Sequence, residues 1–188
     1  NNIKSLTIYA FSSENWKRPK TEVTAIKKLV VDAINDQVPE LKEQKVRLKF
    51  FGHTNDFGKK VIDKIRYAEE KTYIKNSKLD LNVALGYGGK QDLVDIVKSI
   101  SSKVLDKKIK LNDINEEMLH DVSSVPVKEI DLLIRTGGDK RISNFLLYQA
   151  AYAEIVFVKK FWPDFNNKDF LKCLNDFKKV DRRFGKRL

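Results

Sequence analysis

A chain of 188 residues that is 41% hydrophobic and 34% charged, with 8 Gly and 4 Pro, has too many apolar and aromatic residues for a disordered protein and is short enough for a single domain. One cysteine, Cys173, excludes an internal disulfide and points to a reducing compartment, and no apolar run approaches the roughly 20 residues of a membrane span. The net charge of +11 leaves three partner classes open, nucleic acid, an anionic membrane surface and a phosphorylated substrate, beside the plainer reading of lysines scattered on solvated helix faces.

Residues 6–11 form a short run rich in β-formers and read as a buried strand. Polar residues follow at once, from Ser12 to Pro19. Helical spacing then begins near Thr21, with Ile26, Leu29, Val30, Ala33, Ile34 and Val38 on one side. Residues 46–52 read as a second strand, 57–75 as a helix, and 79–85 as a third strand ending in Gly86-Tyr87-Gly88-Gly89. Helices are expected over 91–105 and, shorter, over 112–122. A fourth strand over 129–134 is closed by Arg135-Thr136-Gly137-Gly138, and a helix is expected from Ser143 or Asn144 to Ala151. A fifth strand over 155–158 and a last helix over 168–183 complete the order. Strands alternating with helices of this length predict an α/β fold, a mainly parallel central sheet flanked by helices.

In such sheets ligands bind beyond the carboxyl ends of strands. The segment after residue 134 carries Arg135, Arg141 and Ser143 around two glycines. Arginine forks suit phosphate oxygens, glycine lets backbone approach a ligand, and a hydroxyl near a helix start adds to free N–H groups. These features describe a diphosphate cradle; the alternative is an ordinary strand-to-helix turn with solvated arginines. After the first strand, Ser12, Asn15 and Arg18 offer hydrogen bonds and charge while Trp16 offers a flat apolar cover. That mixture suits a mobile flap over a substrate part charged and part greasy, or else a surface turn with Trp16 packed on the core. Glu154 is a candidate Mg²⁺ ligand near a diphosphate, or a structural partner for an arginine. His53, His120 and Cys173 show no metal-ligand spacing, and Cys173 reads as a small buried hydrophobe. No P-loop, dinucleotide fingerprint or nucleic-acid motif is present, so no nucleic acid is expected as partner.

The segments YAFSSENWKRP from Tyr9 to Pro19 and DLLIRTGGDKRISN from Asp131 to Asn144, continuing FLLYQAAYAE to Glu154, together resemble the hallmarks of the cis-prenyltransferase family. Phe161-Trp162-Pro163-Asp164-Phe165 and Arg182-Arg183-Phe184-Gly185 fit as well, in the family's order and across essentially the whole chain. The look is most like the bacterial members that make the undecaprenyl carrier of cell-wall synthesis.

The resemblance implies a transferase that adds isopentenyl diphosphate in cis geometry to an allylic diphosphate such as farnesyl diphosphate, giving a long polyprenyl diphosphate. Arg135, Arg141 and Ser143 would hold the isopentenyl diphosphate, Glu154 would help place Mg²⁺, Ser12, Asn15 and Arg18 would assist ionisation or proton removal, and Trp16 would belong to a flap. An apolar tunnel lined by Ala10, Leu29, Val30 and Leu79 would take the growing chain. A homodimer follows from the resemblance, with the Arg183-Phe184-Gly185 tail reaching toward a partner's site. So does a cytoplasmic protein in peripheral contact with the inner face of the membrane for product release. The alternative is a non-catalytic subunit of a heteromeric cis-prenyltransferase. The family also begins with a strand and a phosphate-binding loop bearing an aspartate; the sequence shown starts without Met and without that loop, so the true N-terminus is expected upstream. Asp139-Lys140 stands where the bacterial members often have acid-His, and Gly86 where they have Asn.

Overall fold

The computed structural model describes residues 3–185. β3 (Leu79–Tyr87) takes the middle of a three-stranded parallel sheet, between β1 (Ser5–Ser12) and β2 (Val46–Phe51). The central place suits a strand buried on both faces, and residues 82–87 are all buried. Ile8 lies beside Val83, and Leu48 and Phe50 lie beside Leu81 and Val83, so one face of the sheet is apolar throughout. On that face pack α1 (Lys20–Glu43), through Val31, Ile34 and Val38, and α2 (Lys59–Thr72), through Val61, Ile65 and Ala68. Each such side chain taken from water contributes about 1.5–3 kcal/mol.

Two polar devices finish this unit. β2 is an edge strand, and α2 covers its outward N–H groups: Leu48 N donates to Thr72 Oγ1 at 3.0 Å and Phe50 N to Glu69 Oε1 at 2.8 Å. α3 (Gly89–Leu105) carries Asp92, 5% exposed, which accepts from Ser123 Oγ at 2.9 Å, Ser124 N at 3.1 Å and Ser124 Oγ at 2.8 Å. That buried carboxylate pins the loop leaving α4 (Glu116–Val122) to α3.

The chain divides into two compact units between Pro126 and Val127. The second holds β4 (Leu132–Arg135) and β5 (Glu154–Phe157), paired in parallel from Leu132–Glu154 to Arg135–Phe157, and α5 (Asn167–Phe177). Parallel sheets flanked by helices are thus present as the alternation of elements predicts.

Several expected helices differ: that over 57–75 runs only from Lys59 to Thr72, and that over 112–122 begins at Glu116. Residues 143–151 form turns, because Ser143, Asn144 and Leu146 have φ of 49°, 61° and 46° and a right-handed helix cannot continue through left-handed residues. α5 stops at Phe177 and not near residue 183: bonds from Lys179 N to Asp176 O and Val180 N to Phe177 O tighten its end, and Arg182 is drawn away to Asp131. The fourth strand starts at Leu132, three residues later than residue 129.

Arg47 and Asp80 face each other across β2 and β3, with Nε–Oδ1 at 2.9 Å and Nη2–Oδ2 at 2.5 Å. Burial raises the Asp80 carboxyl, but the bonds from Arg47 and Ser77 outweigh it and hold the group below its ordinary value. A depressed carboxylate stabilises the fold above its unfolded value of about 3.9, and that contribution is lost as pH falls through the folded value. Asp80→Asn is therefore expected to cost about 1–2 kcal/mol in urea denaturation at pH 7, with the gap from the parent closing below about pH 4.

Candidate active site

In the second unit β4 delivers Arg135 at its carboxyl end. The next residues turn back on β5's exit: Val158 N donates to Arg135 O at 2.7 Å, Gly138 N to Val158 O at 3.0 Å and Gly137 N to Lys160 O at 2.7 Å. The two glycines serve conformation, with φ of 92° and 83°, and an added Cβ at either would meet only ordinary contacts at 3.9 Å. Their N–H groups are used by the chain itself, so the expected close backbone approach to a ligand is replaced by side-chain donors.

Those donors converge. Arg135 Nη1 donates to Ser143 Oγ at 2.6 Å. Arg135 Nη2 and Arg141 Nη2 donate to one oxygen of Asp139, at 3.1 and 2.6 Å. The left-handed Ser143 places its hydroxyl on Arg135, where a helix start was expected. Arg135, Arg141 and Ser143 are thus brought together, and Asp139 is the member that spacing did not single out. An acid two residues before one arginine and four after another was the available signal.

Glu154 is not brought to this group. It pairs with Leu132 while Arg135 pairs with Phe157, so it begins β5 three residues, about 10 Å, from the arginine end. Among the described residues no three His, Cys, Asp or Glu side chains are placed to hold a metal ion. Mg²⁺ needs only one or two carboxylates when phosphate and water supply the rest, and the unit's donor set fits a cation arriving with its ligand better than a preformed cage.

In the first unit β1 ends on Ser12 and runs into a 3₁₀ turn, Ser13–Lys17. Ser12 N donates to Asn15 Oδ1 at 2.9 Å inside the turn, and Arg18 Nη1 donates to Glu22 Oε1 of α1 at 2.6 Å, so Ser12, Asn15 and Arg18 lie on one short stretch of chain, with Arg18 tied to the helix that follows. Trp16 packs on the core, as one of its two readings had it, with ring centroids 4.9 Å from Phe11 and 4.8 Å from Phe57. Lys27 Nζ lies 5.1 Å above the Trp16 ring and donates to Asp56 O at 3.3 Å, tying α1 to this turn and to a second 3₁₀ turn, Thr54–Phe57. Tyr9 donates to Tyr87 O at 3.0 Å. Burial, with the charge of Glu14 added, pushes its phenol up to about 12 against a hydrogen bond with Ser12, so Tyr9 stays protonated at neutral pH.

The other candidates scatter. Val30 packs against the core of the first unit, Leu79 is half-buried, Ala10 is exposed, and Leu29 is 64% exposed. His53 pairs with Asp95 at 2.7 Å. Cys173 is buried, and burial pushes its thiol up, consistent with packing. Among the described residues no helix is long and apolar enough to cross a membrane.

Comparison with known proteins sharpens this geometry. A family described as "Putative undecaprenyl diphosphate synthase" matches residues 1–185. The ditrans,polycis-undecaprenyl-diphosphate synthase ((2E,6E)-farnesyl-diphosphate specific) of Escherichia coli K12 is 45% identical over 186 residues, 98% of this chain and 73% of that protein. An isoprenyl transferase of Clostridium perfringens is 43% identical, covering 97% and 72%. Among solved structures, the lavandulyl diphosphate synthase of Lavandula x intermedia in complex with dimethylallyl diphosphate superposes with a TM-score of 0.93 at 31% identity, over 98% of this chain and 80% of that one. A probable undecaprenyl diphosphate synthase of Campylobacter jejuni gives 0.86 at 36% identity, over 98% and 85%.

One contact in the second unit supports a stability test. Arg182 is bonded to Asp131, donates to Tyr152 O at 3.3 Å, and lies 5.7 and 4.5 Å from the Phe177 and Phe184 rings. Arg182→Ala removes all four, and a loss of about 2 kcal/mol is expected by denaturant titration, with faster proteolysis after Phe177.

Proposed function

Because the chain belongs to the undecaprenyl diphosphate synthase family of cis-prenyltransferases, we propose that it condenses isopentenyl diphosphate units in cis geometry onto farnesyl diphosphate to build a long polyprenyl diphosphate, the undecaprenyl lipid carrier. The enzyme class rests on the relatives, which are synthases and transferases; none of them supports a non-catalytic subunit. The single structural observation that carries the substrate reading is the convergence of Arg135, Arg141 and Ser143 at the end of β4.

In this reading both units form one catalytic domain. Arg135 and Arg141 hold the diphosphate of isopentenyl diphosphate with planar, permanently charged forks, and Ser143 adds a hydroxyl donor. Ser12, Asn15 and Arg18 orient the reacting carbons and the departing diphosphate. Arg18 exchanges its exposed bond to Glu22 for phosphate oxygen, which costs little because such surface pairs are weak. The new C–C bond forms at the allylic carbon as its diphosphate leaves, and a proton is lost from the isopentenyl unit. Trp16, released from Phe11 and Phe57, moves with its turn over the substrates and excludes water. Ala10, Leu29, Val30 and Leu79 line the path of the growing chain, whose burial contributes about 0.8 kcal/mol per CH₂.

Mg²⁺ is the proposed cofactor, and bound it would offset the charge that develops on the leaving diphosphate; Glu154 is the carboxylate that the family pattern assigns to it, although the ladder sets that residue about 10 Å from the arginine end. A homodimer is proposed, and so is a peripheral contact with the cytoplasmic face of an anionic membrane, consistent with the charge of +11 and the lipid product.

Full-length protein given farnesyl diphosphate, labelled isopentenyl diphosphate and Mg²⁺ should yield extended products, and absence of any extension would refute the assignment. Arg135→Ala should raise KM for isopentenyl diphosphate about 10- to 100-fold, the loss of charged hydrogen bonds each contributing about 1.5–3 kcal/mol. Chelation should abolish turnover, and Glu154→Gln should raise the Mg²⁺ concentration needed for half-maximal rate.

A further inference from the structure

Arg135 and Arg141 do not wait as two separate forks, since one carboxylate oxygen already lies between them. Asp139 Oδ2 accepts from Arg135 Nη2 at 3.1 Å and from Arg141 Nη2 at 2.6 Å. Two guanidinium groups sharing one anionic oxygen make the charge pattern expected around a phosphate oxygen. Arg135 also has a buried Nε with no hydrogen-bond acceptor, a donor that the internal carboxylate does not reach.

We infer that Asp139 is an internal stand-in for the diphosphate: it holds the two arginines at anion-binding spacing in the free enzyme and is displaced when a diphosphate enters. The inference rests on reading this loop as a diphosphate site. Exposure decides which member moves. The Arg135 side chain is 22% exposed and anchored at the end of a strand, whereas Asp139 is 45% exposed and can swing into water. Gly137 and Gly138, directly before it, are held by their N–H bonds to Lys160 O and Val158 O, so the Asp139 side chain is the part that moves.

The device sets a threshold for ligands. An incoming anion must outcompete a carboxylate already at the forks, so a monoanion gains little, while a diphosphate brings more charge and more acceptor oxygens and can also meet the idle Nε. Asp139 thereby sets a common threshold: displacing it costs each anion about the same, so only a ligand with charge and acceptor oxygens to spare binds tightly. Asp139→Asn keeps the shape and one acceptor but removes both the competing charge and its repulsion of the ligand.

The test is direct binding of inorganic pyrophosphate and inorganic phosphate to the full-length enzyme by calorimetry, in metal-free buffer of low ionic strength, with circular dichroism to check folding. Asp139→Asn should bind pyrophosphate about tenfold tighter than the parent, with a gain for phosphate in the same direction and no larger. Asp139→Glu, which keeps the charge, should stay within about twofold of the parent. Unchanged or weaker pyrophosphate binding by a folded Asp139→Asn protein would overturn the inference, as would equal tightening by Asp139→Glu. The outcomes separate from those of the functional assignment: tightened pyrophosphate binding without chain extension upholds the stand-in and sinks the reaction, and extension with no tightening does the reverse.

Discussion

Parallel strand pairing is the constraint from which the rest follows. A parallel ladder sends the carboxyl ends of its strands to one edge, so whatever follows each strand is presented on the same side of its sheet. In the first unit that edge carries the turn with Ser12, Asn15, Trp16 and Arg18 after β1, and Gly88 with the start of α3 after β3. In the second unit it carries Arg135 and the loop that returns Ser143 to it. Glu154, at the opposite end of the β4–β5 ladder, shows the same rule from the other side: strand position outranks nearness in sequence.

Within that frame several charged groups already have a partner in the chain. Arg18 has Glu22, Arg135 and Arg141 share Asp139, and Arg182 has Asp131. Most of these pairs are exposed enough to be exchanged at small cost, which suits groups that must hand their hydrogen bonds to a ligand. Buried polar groups behave differently. Asp92 with its two serines and Thr72 with the edge of β2 are fixed parts of the fold, since an unmet partner there would be costly.

Much of this was legible from sequence. β-Branched and aromatic runs marked β1, β2 and β3, and helical spacing marked α1, α2 and α3, because burial on two faces or on one leaves an unmistakable period. The motifs around Arg135 and Ser12 identified the family from residues alone. The turns over 143–151 were not legible: Phe145, Leu146, Leu147, Ala150 and Ala151 look helical, and only the left-handed backbone at Ser143, Asn144 and Leu146, set by tertiary contacts, prevents the helix. The early end of α5 was hidden for a related reason, since Arg182's partner lies 51 residues away. The role of Asp139 and the stacking of Lys27 on Trp16 likewise depend on turns whose geometry no period announces.

We propose that the end of β4 binds the diphosphate of the isopentenyl substrate. The most direct test is a crystal structure of the full-length enzyme with isopentenyl diphosphate bound. Diphosphate oxygens are expected within hydrogen-bond distance of Arg135, Arg141 and Ser143. A well-occupied diphosphate bound elsewhere, with those three side chains left as they stand here, would contradict it.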